Sequence, residues 1–186
     1  MLWFKVGITD FLTGEKSISC ISNIVKDLAA MANTKPGEKG TVILGVSDND
    51  KDAKKVSKRF GIKPIKCDRF SITGIKEEAE QCFGGLDNYL NFIRNYIEKE
   101  EISDVFKNEI LKNIRIIRCG DKLLVLFTAQ AKREVYYNKE LFVRHGNHNT
   151  PVPFDSELQH NIIDTFSNIR NITNSMEIFT SNKLDS

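Results

Sequence analysis

The chain of 186 residues lacks any long hydrophobic run, and apolar stretches such as Leu123 to Phe127 are far too short to cross a bilayer. Its first residues, Met-Leu-Trp-Phe-Lys, lack the basic start and the long apolar core of a secretory signal peptide. We therefore expect a protein that makes no membrane contact and works in the cytoplasm.

Cysteine is scarce, and the short motifs that mark several classes of enzyme are missing. The four cysteines are widely spread and no Cys-x-x-Cys occurs, so the sequence gives no support to a zinc site. Gly-x-Ser-x-Gly is absent, which argues against the nucleophile turn of many hydrolases. The stretch from Gly7 to Ser17 has the wrong spacing for a phosphate-binding loop, and we predict no nucleotide cofactor.

A large excess of positive charge is also missing, since 27 basic residues stand against 25 acidic ones. Any surface for nucleic acid must therefore come from local clustering. One cluster lies between residues 51 and 69, where only two acidic residues accompany the basic ones. Its basic members are Lys51, Lys54, Lys55, Lys58, Arg59, Lys63, Lys66 and Arg69. We predict a flexible arm or loop that follows a phosphate backbone, the alternative being a loop kept polar for solubility.

Helical and strand patterns alternate in the first half of the chain. Apolar residues recur with helical spacing from Ile18 to Ala32, and Asn33 is predicted to end this helix. The run from Thr41 to Val46 is rich in β-branched residues without alternation, which is typical of a central strand. These two elements predict a helix that packs on a buried strand.

Strands dominate the second half of the chain. Residues 114–118 and 123–127 predict one hairpin, and residues 134–137 and 140–144 predict another. Together with the earlier elements, they predict a single α+β domain over residues 1–154, with a mixed β-sheet flanked by helices.

The last segment, residues 155–186, predicts a C-terminal amphipathic helix whose end frays from about Thr173. Its apolar face carries Leu158, Ile162, Phe166 and Ile169. Such a face needs a partner, which is either the core of the same domain or a second subunit.

Three stretches of the sequence together resemble one known family. A helix ends in Ala30-Met31-Ala32-Asn33-Thr34, the next strand ends in Gly45-Val46-Ser47-Asp48, and a late strand ends in Arg144-His145-Gly146-Asn147. They resemble the Schlafen AlbA-type (AlbA_2) domain, whose pattern opens with Glu-Ser-x-x-x-Glu-Phe-Lys. The resemblance covers roughly residues 10 to 150 and implies a nucleic-acid-binding domain.

The resemblance also implies a set of carboxylates. Family members that are nucleases use three acids to hold divalent cations, and the matching residues here are Asp10, Glu15 and Asp48. Mg²⁺ and Mn²⁺ prefer carboxylate oxygens, and a bound ion would polarise a phosphoryl oxygen. These three residues are the predicted catalytic and metal-binding residues. Alternatively, Asp10 is a turn residue and Asp48 caps the turn after its strand.

The chain departs from the family pattern at its opening. The first acid is Asp10 instead of glutamate, and no aromatic residue stands between Glu15 and Lys16. The stretch from Pro36 to Gly40 replaces the Gly-Gly that follows the helix in the family. These differences concern the active site more than the fold.

A dense polar group follows the late strand at Arg144, His145 and His148. Arg144 could pair with a phosphate, and either histidine could contact it or act in acid–base chemistry. The alternative is a strand-end turn in which the arginine pairs with a nearby carboxylate.

Nucleic-acid binding is the central prediction, with RNA or DNA as the partner. One form is a Mg²⁺- or Mn²⁺-dependent endoribonuclease that acts on structured RNA such as transfer RNA, in a prokaryotic defence or regulatory system. The alternatives are a non-catalytic DNA- or RNA-binding module and a regulatory assembly subunit whose C-terminal helix contacts other proteins. Because family nucleases build a cleft from two such lobes, we predict a homodimer or a subunit of a larger complex. The candidate interface residues are Leu158, Ile162, Phe166 and Ile169.

Overall fold

The computed structural model describes residues 1–184, and side chains as far as residue 173. These residues form an α+β fold, as predicted. The helices are α1 (Ile18–Thr34), α2 (Asp50–Phe60), α3 (Lys76–Phe83), α4 (Leu86–Ile97), α5 (Asp104–Lys112) and α6 (Glu157–Leu184). The strands are β1 (Leu2–Lys5), β2 (Gly40–Leu44), β3 (Val46–Ser47), β4 (Ile65–Cys67), β5 (Phe70–Ile72), β6 (Arg115–Cys119), β7 (Lys122–Ala129), β8 (Tyr136–Tyr137), β9 (Glu140–His145) and β10 (His148–Pro151).

The main sheet has the strand order β1-β2-β7-β6 and is mixed, as predicted. Strand β1 lies parallel to β2, with Phe4 opposite Ile43 and Lys5 opposite Leu44, while the other pairs are antiparallel. The predicted β6–β7 and β8–β9 hairpins are both confirmed. Since β1 is an edge strand, one side of it is free to border a groove.

The prediction of a flexible basic arm was wrong, because its first part is helix α2 and its second part contributes strand β4 to a small sheet with the order β3-β5-β4. Helix α2 starts at an Asn49 cap, whose side chain accepts the N–H of Asp52. It is held by a buried stripe of Ala53, Val56 and Phe60. This stripe has helical spacing, which lets a very polar segment dock on the domain.

Helix α1 lies at the centre of the fold and packs mainly on β9, with further contacts to β2 and α4. The predicted end of this helix at Asn33 is one residue short of the observed end at Thr34, and Asn33 is 1% exposed. Its amide donates to the carbonyls of Val135 and Phe142 and accepts the N–H of Val135. The hydroxyl of Thr34 accepts a further hydrogen bond from the N–H of Arg144, so the end of the helix is fixed to β9.

The apolar face of α6 packs on its own domain. Ile162 and Phe166 are 6% and 1% exposed and belong to the same hydrophobic core as α1 and β9. The prediction that these two residues form a dimer interface was therefore wrong, because the domain itself buries them. Leu158 stays 44% exposed, and the homodimer remains a prediction. Within the described residues, no helix combines the length and apolar character needed to cross a bilayer.

Candidate nucleic-acid interface

Two adjoining cavities lie along the edge strand β1, share Trp3, Phe4 and Asp48, and together form what is here called the groove. The first, here called the aromatic cavity, has a volume of about 450 Å³. Its other principal residues are Arg69, Phe70, Arg144, Gly146 and Asn147. The second, here called the acidic cavity, has a volume of about 470 Å³. Its other polar residues include Lys5, Thr9, Asp10, Asn23 and Asp52.

Two of the three predicted carboxylates line the acidic cavity. Asp48 follows β3 directly, is exposed, and accepts a hydrogen bond from the Asn49 amide at 3.2 Å. Asp10 is also exposed, and its Oδ1 accepts the N–H groups of Leu12 and Thr13 at 2.8 and 2.9 Å. These backbone bonds lower the pKa of Asp10 and give it the turn geometry that was the alternative interpretation.

Glu15 does not join the other two acids. It is exposed on the same turn as Asp10 but lies outside both cavities. Among the residues that the structure describes, no group of three or more His, Cys, Asp or Glu side chains is arranged to hold a metal ion. In this arrangement the predicted set of Asp10, Glu15 and Asp48 does not fit a Mg²⁺ or Mn²⁺ ion, which needs several converging oxygens.

Arg144 is buried in an ionic cluster instead of facing outward. One of its guanidinium nitrogens donates to Asp27 Oδ1 at 2.6 Å and to Asn149 Oδ1 at 2.9 Å. Lys5 Nζ lies 3.3 Å from the other oxygen of Asp27. The guanidinium also stacks on Trp3, 3.9 Å from the ring centre. The structure thus has the arginine–carboxylate pair that was the alternative interpretation of this motif.

The two histidines of the same motif face each other across the β9–β10 hairpin. His145 and His148 are register partners, and both are exposed. Neither lines the aromatic or the acidic cavity. Their place at a hairpin end makes them accessible to a ligand that extends past the groove.

The lysines of the predicted basic cluster that lie on helix α2 form one solvent-exposed face of that helix. Lys51, Lys54, Lys55 and Lys58 lie opposite its buried stripe and are all exposed. Lys55 pairs with Asp52 at 2.9 Å. No salt bridge in the described part of the chain involves Lys51, Lys54 or Lys58. These three lysines therefore present positive charge outside any described salt bridge, on a helix whose first turn reaches the acidic cavity through Asp52.

The rest of the basic cluster is less uniform. Arg59 donates to the Thr13 carbonyl at 3.3 Å, so it holds the turn that carries Asp10. Lys66 pairs with Asp50. Lys63 is exposed, and Arg69 is exposed at the rim of the aromatic cavity. Of these four residues, Lys63 and Arg69 are the ones placed to meet a ligand.

Glu78 on α3 fixes the wall of the acidic cavity and was not found from the sequence. Its carboxylate is 3% exposed and accepts hydrogen bonds from the Ile8 N–H, the Thr9 hydroxyl and the Tyr89 hydroxyl. Burial raises the pKa of Glu78, and its three donors oppose that rise. Two of these partners lie about 70 positions away, so no local pattern could have indicated the role.

A family model described as Schlafen, AlbA_2 matches residues 4–153 of this chain. The chain belongs to the Schlafen AlbA_2 family. The predicted family is thereby confirmed, over a longer stretch than the sequence motifs alone indicated. No match is found among curated proteins. Membership in the Schlafen AlbA_2 family supports nucleic-acid binding as the general function.

The family motifs have clear structural roles in this AlbA_2 domain. Asn33 and Thr34 of the helix motif tie α1 to β9, and Arg144 of the late motif pairs with Asp27 on α1. The Gly45 N–H donates to the carbonyl of Lys5, and the Gly45 carbonyl accepts hydrogen bonds from Thr73. The φ angle of Gly45 is 99°, a backbone conformation that favours glycine. These motifs therefore hold together the elements around the groove.

Proposed function

We propose that this Schlafen AlbA_2 protein is a nucleic-acid-binding module without catalytic activity. The observation that carries the proposal is that helix α2, which has an exposed basic face, reaches the groove along β1 through Asp52 of its first turn. Asp48 of the groove is followed by Asn49, the cap of α2, and Asp52 of the first helical turn lines the acidic cavity. We expect a strand that leaves the groove at this end to meet Lys51, Lys54 and Lys58 on the exposed side of α2.

The basic face suits a phosphate backbone more than a folded protein partner. Its lysines are exposed, carry long flexible stems and are spaced along one helix side. Each phosphate that they neutralise releases condensed counterions, which favours binding at low salt. Such contacts fix position without reading sequence.

The state of the carboxylates supports a module without catalysis. Asp10 is occupied by its own turn, and Glu15 lies outside both cavities. The Phe-Lys pair of the opening family pattern also occurs at Phe4-Lys5, where the family match begins. In that register Trp3 stands where the family pattern has its second glutamate. Asp48 is then left without the acids that would complete a metal site.

We predict that replacing Lys51, Lys54 and Lys58 together with alanine weakens nucleic-acid binding by roughly tenfold or more near physiological salt. The slope of log affinity against log salt should fall by about 2, since about 0.7 is lost with each phosphate contact to a single strand. Fluorescence anisotropy of a labelled RNA strand measures both quantities.

The matched control replaces three exposed lysines that line neither cavity, Lys99, Lys112 and Lys132, with alanine. This variant changes net charge equally, so it should keep most of the affinity and of the salt slope. If both triple variants lose the same affinity, binding does not depend on α2. If the wild-type protein does not bind even at low salt, the proposed function fails and assembly with other proteins becomes the better alternative.

Endoribonuclease activity and a defence role remain predictions of the family resemblance. They are tested by incubating the protein with labelled transfer RNA, with and without Mn²⁺, beside Asp48→Asn. We expect no metal-dependent cleavage in either sample, because the acids do not converge. Cleavage that needs Mn²⁺ and disappears in the variant would overturn the non-catalytic proposal and identify Asp48 as catalytic.

A further inference from the structure

We propose that the aromatic cavity binds one unpaired base of a single-stranded segment, with guanine preferred. This inference rests on the proposed function, since it names what the same groove selects. It is carried by three features of the cavity: aromatic walls, a single exposed carboxylate and an arginine at the rim. Each feature matches one part of a nucleotide.

The walls of the aromatic cavity offer flat rings that are partly open to solvent. Trp3, Phe4 and Phe70 are all half-buried. The Phe4 and Phe70 rings lie 4.6 Å apart at a tilt of 45°. Stacking on such rings requires a base that has left its own duplex, because paired bases have both faces covered. A volume of about 450 Å³ lies within the range of small-ligand sites.

The Trp3 ring is held in place from the protein side. The Arg144 guanidinium stacks 3.9 Å from its centre and is itself fixed by Asp27. Because Arg144 is buried, bound to Asp27 and Asn149 and stacked on Trp3, this arginine acts by positioning Trp3 and not by binding phosphate. A platform that is fixed before binding loses less conformational entropy when a base stacks on it.

Asp48 distinguishes a base edge from a backbone at this site. A carboxylate repels phosphates and can only accept hydrogen bonds, so it has no favourable role against a backbone. The Watson–Crick edge of guanine presents two neighbouring N–H donors to one carboxylate, whereas the other bases present fewer donors there. Charge-assisted bonds of this paired kind are strong. The exposed carboxylate of Asp48 therefore favours guanine.

Arg69 completes the site at the rim. Its guanidinium is exposed and lies 5.0 Å from the centre of the Phe70 ring. From there it can pair with the phosphate next to a stacked base, which offsets the repulsion from Asp48. The arrangement thus separates a base-reading carboxylate from a phosphate-binding cation.

The chain contains its own reporter for this cavity, since Trp3 is its single tryptophan. The protein is titrated with oligouridine strands of about 8 nucleotides while Trp3 fluorescence is recorded. Each strand carries one central guanine, adenine or cytosine. We expect the strand with guanine to quench Trp3 and to bind about tenfold more tightly than oligouridine. The same guanine paired in a duplex should leave Trp3 fluorescence unchanged.

Two variants and one control assign the effect to named side chains. Asp48→Asn should remove the preference for guanine while oligouridine binds as well as before or more tightly. Phe70→Leu should weaken all single strands by about fivefold or more through lost stacking. Phe154 lies outside the groove and is 91% exposed, so Phe154→Leu should change neither the preference for guanine nor the affinity for single strands. Melting temperatures verify that each variant is folded.

Anisotropy of end-labelled strands, measured in parallel, separates this inference from the proposed function. Binding without Trp3 quenching would overturn the base site and leave the nucleic-acid module intact. Equal quenching by all central bases would overturn the guanine preference. Absence of binding in both measurements would overturn the proposed function together with the inference.

Discussion

Replacement of Asn33 by alanine is expected to lower the free energy of unfolding by about 3 kcal/mol. The Asn33 amide donates to the carbonyls of Val135 and Phe142 at 2.8 and 2.9 Å and accepts the N–H of Val135 at 2.8 Å. Alanine would leave all three backbone groups without this partner in a region that water does not reach. An unsatisfied buried polar group costs about 1–3 kcal/mol, and the three groups are held by one side chain.

Urea denaturation followed by circular dichroism measures this loss. Asn33→Asp keeps an acceptor for Val135 but removes the donors and buries a charge, so it should be at least as damaging. Asn161→Ala is the control, because Asn161 is exposed on α6 and its replacement should change stability by less than about 0.5 kcal/mol. A loss below about 1 kcal/mol in Asn33→Ala would contradict the assigned role.

Replacing Arg144 with methionine is expected to destabilise the domain by about 3–5 kcal/mol. The substitution keeps much of the side-chain bulk but leaves the Asp27 carboxylate, which is 4% exposed, without its shortest ion pair. Lys5 and Asn149 remain near Asp27, at 3.3 and 2.7 Å. They do not supply the guanidinium that also covers Trp3.

A double-mutant cycle tests the pair directly. Arg144→Met combined with Asp27→Leu removes both charges, so the double variant should be more stable than either single variant. The control pair is Lys76 and Glu80, which are more than half exposed and lie 3.9 Å apart. Removing one of these surface charges should cost less than about 1 kcal/mol. Strictly additive losses at Arg144 and Asp27 would show that the two residues act independently.

The fold was most predictable from the sequence where local patterns and local contacts coincide. Helix α1 and the β6–β7 and β8–β9 hairpins follow from apolar periodicity and short turns. Helix α2 was missed because its lysines dominate the composition and hide the stripe of Ala53, Val56 and Phe60. A charge count therefore predicted a loop where the apolar spacing alone would have indicated a helix.

The candidate site was predictable only in part, because its key contacts join distant parts of the chain. Of the three acids predicted to form one site, Asp10 and Asp48 line the same cavity and Glu15 lies outside it. Asp27 meets Arg144 across 117 positions, and Trp3 becomes part of a cavity wall only when β1 pairs with β2. An acid on the buried face of helix α1 was the one available signal for Asp27, since a buried charge requires a partner.

Helix α6 sets a practical limit on how the protein can be dissected. The family match ends at residue 153, yet Phe166 fills the core that α1 and β9 share. A fragment trimmed to the family boundary would open an apolar trough at that place and would tend to aggregate. Failure of such a fragment to bind RNA would reflect its insolubility and not its recognition surface. Dissection of the groove therefore belongs in chains that retain the first four turns of α6.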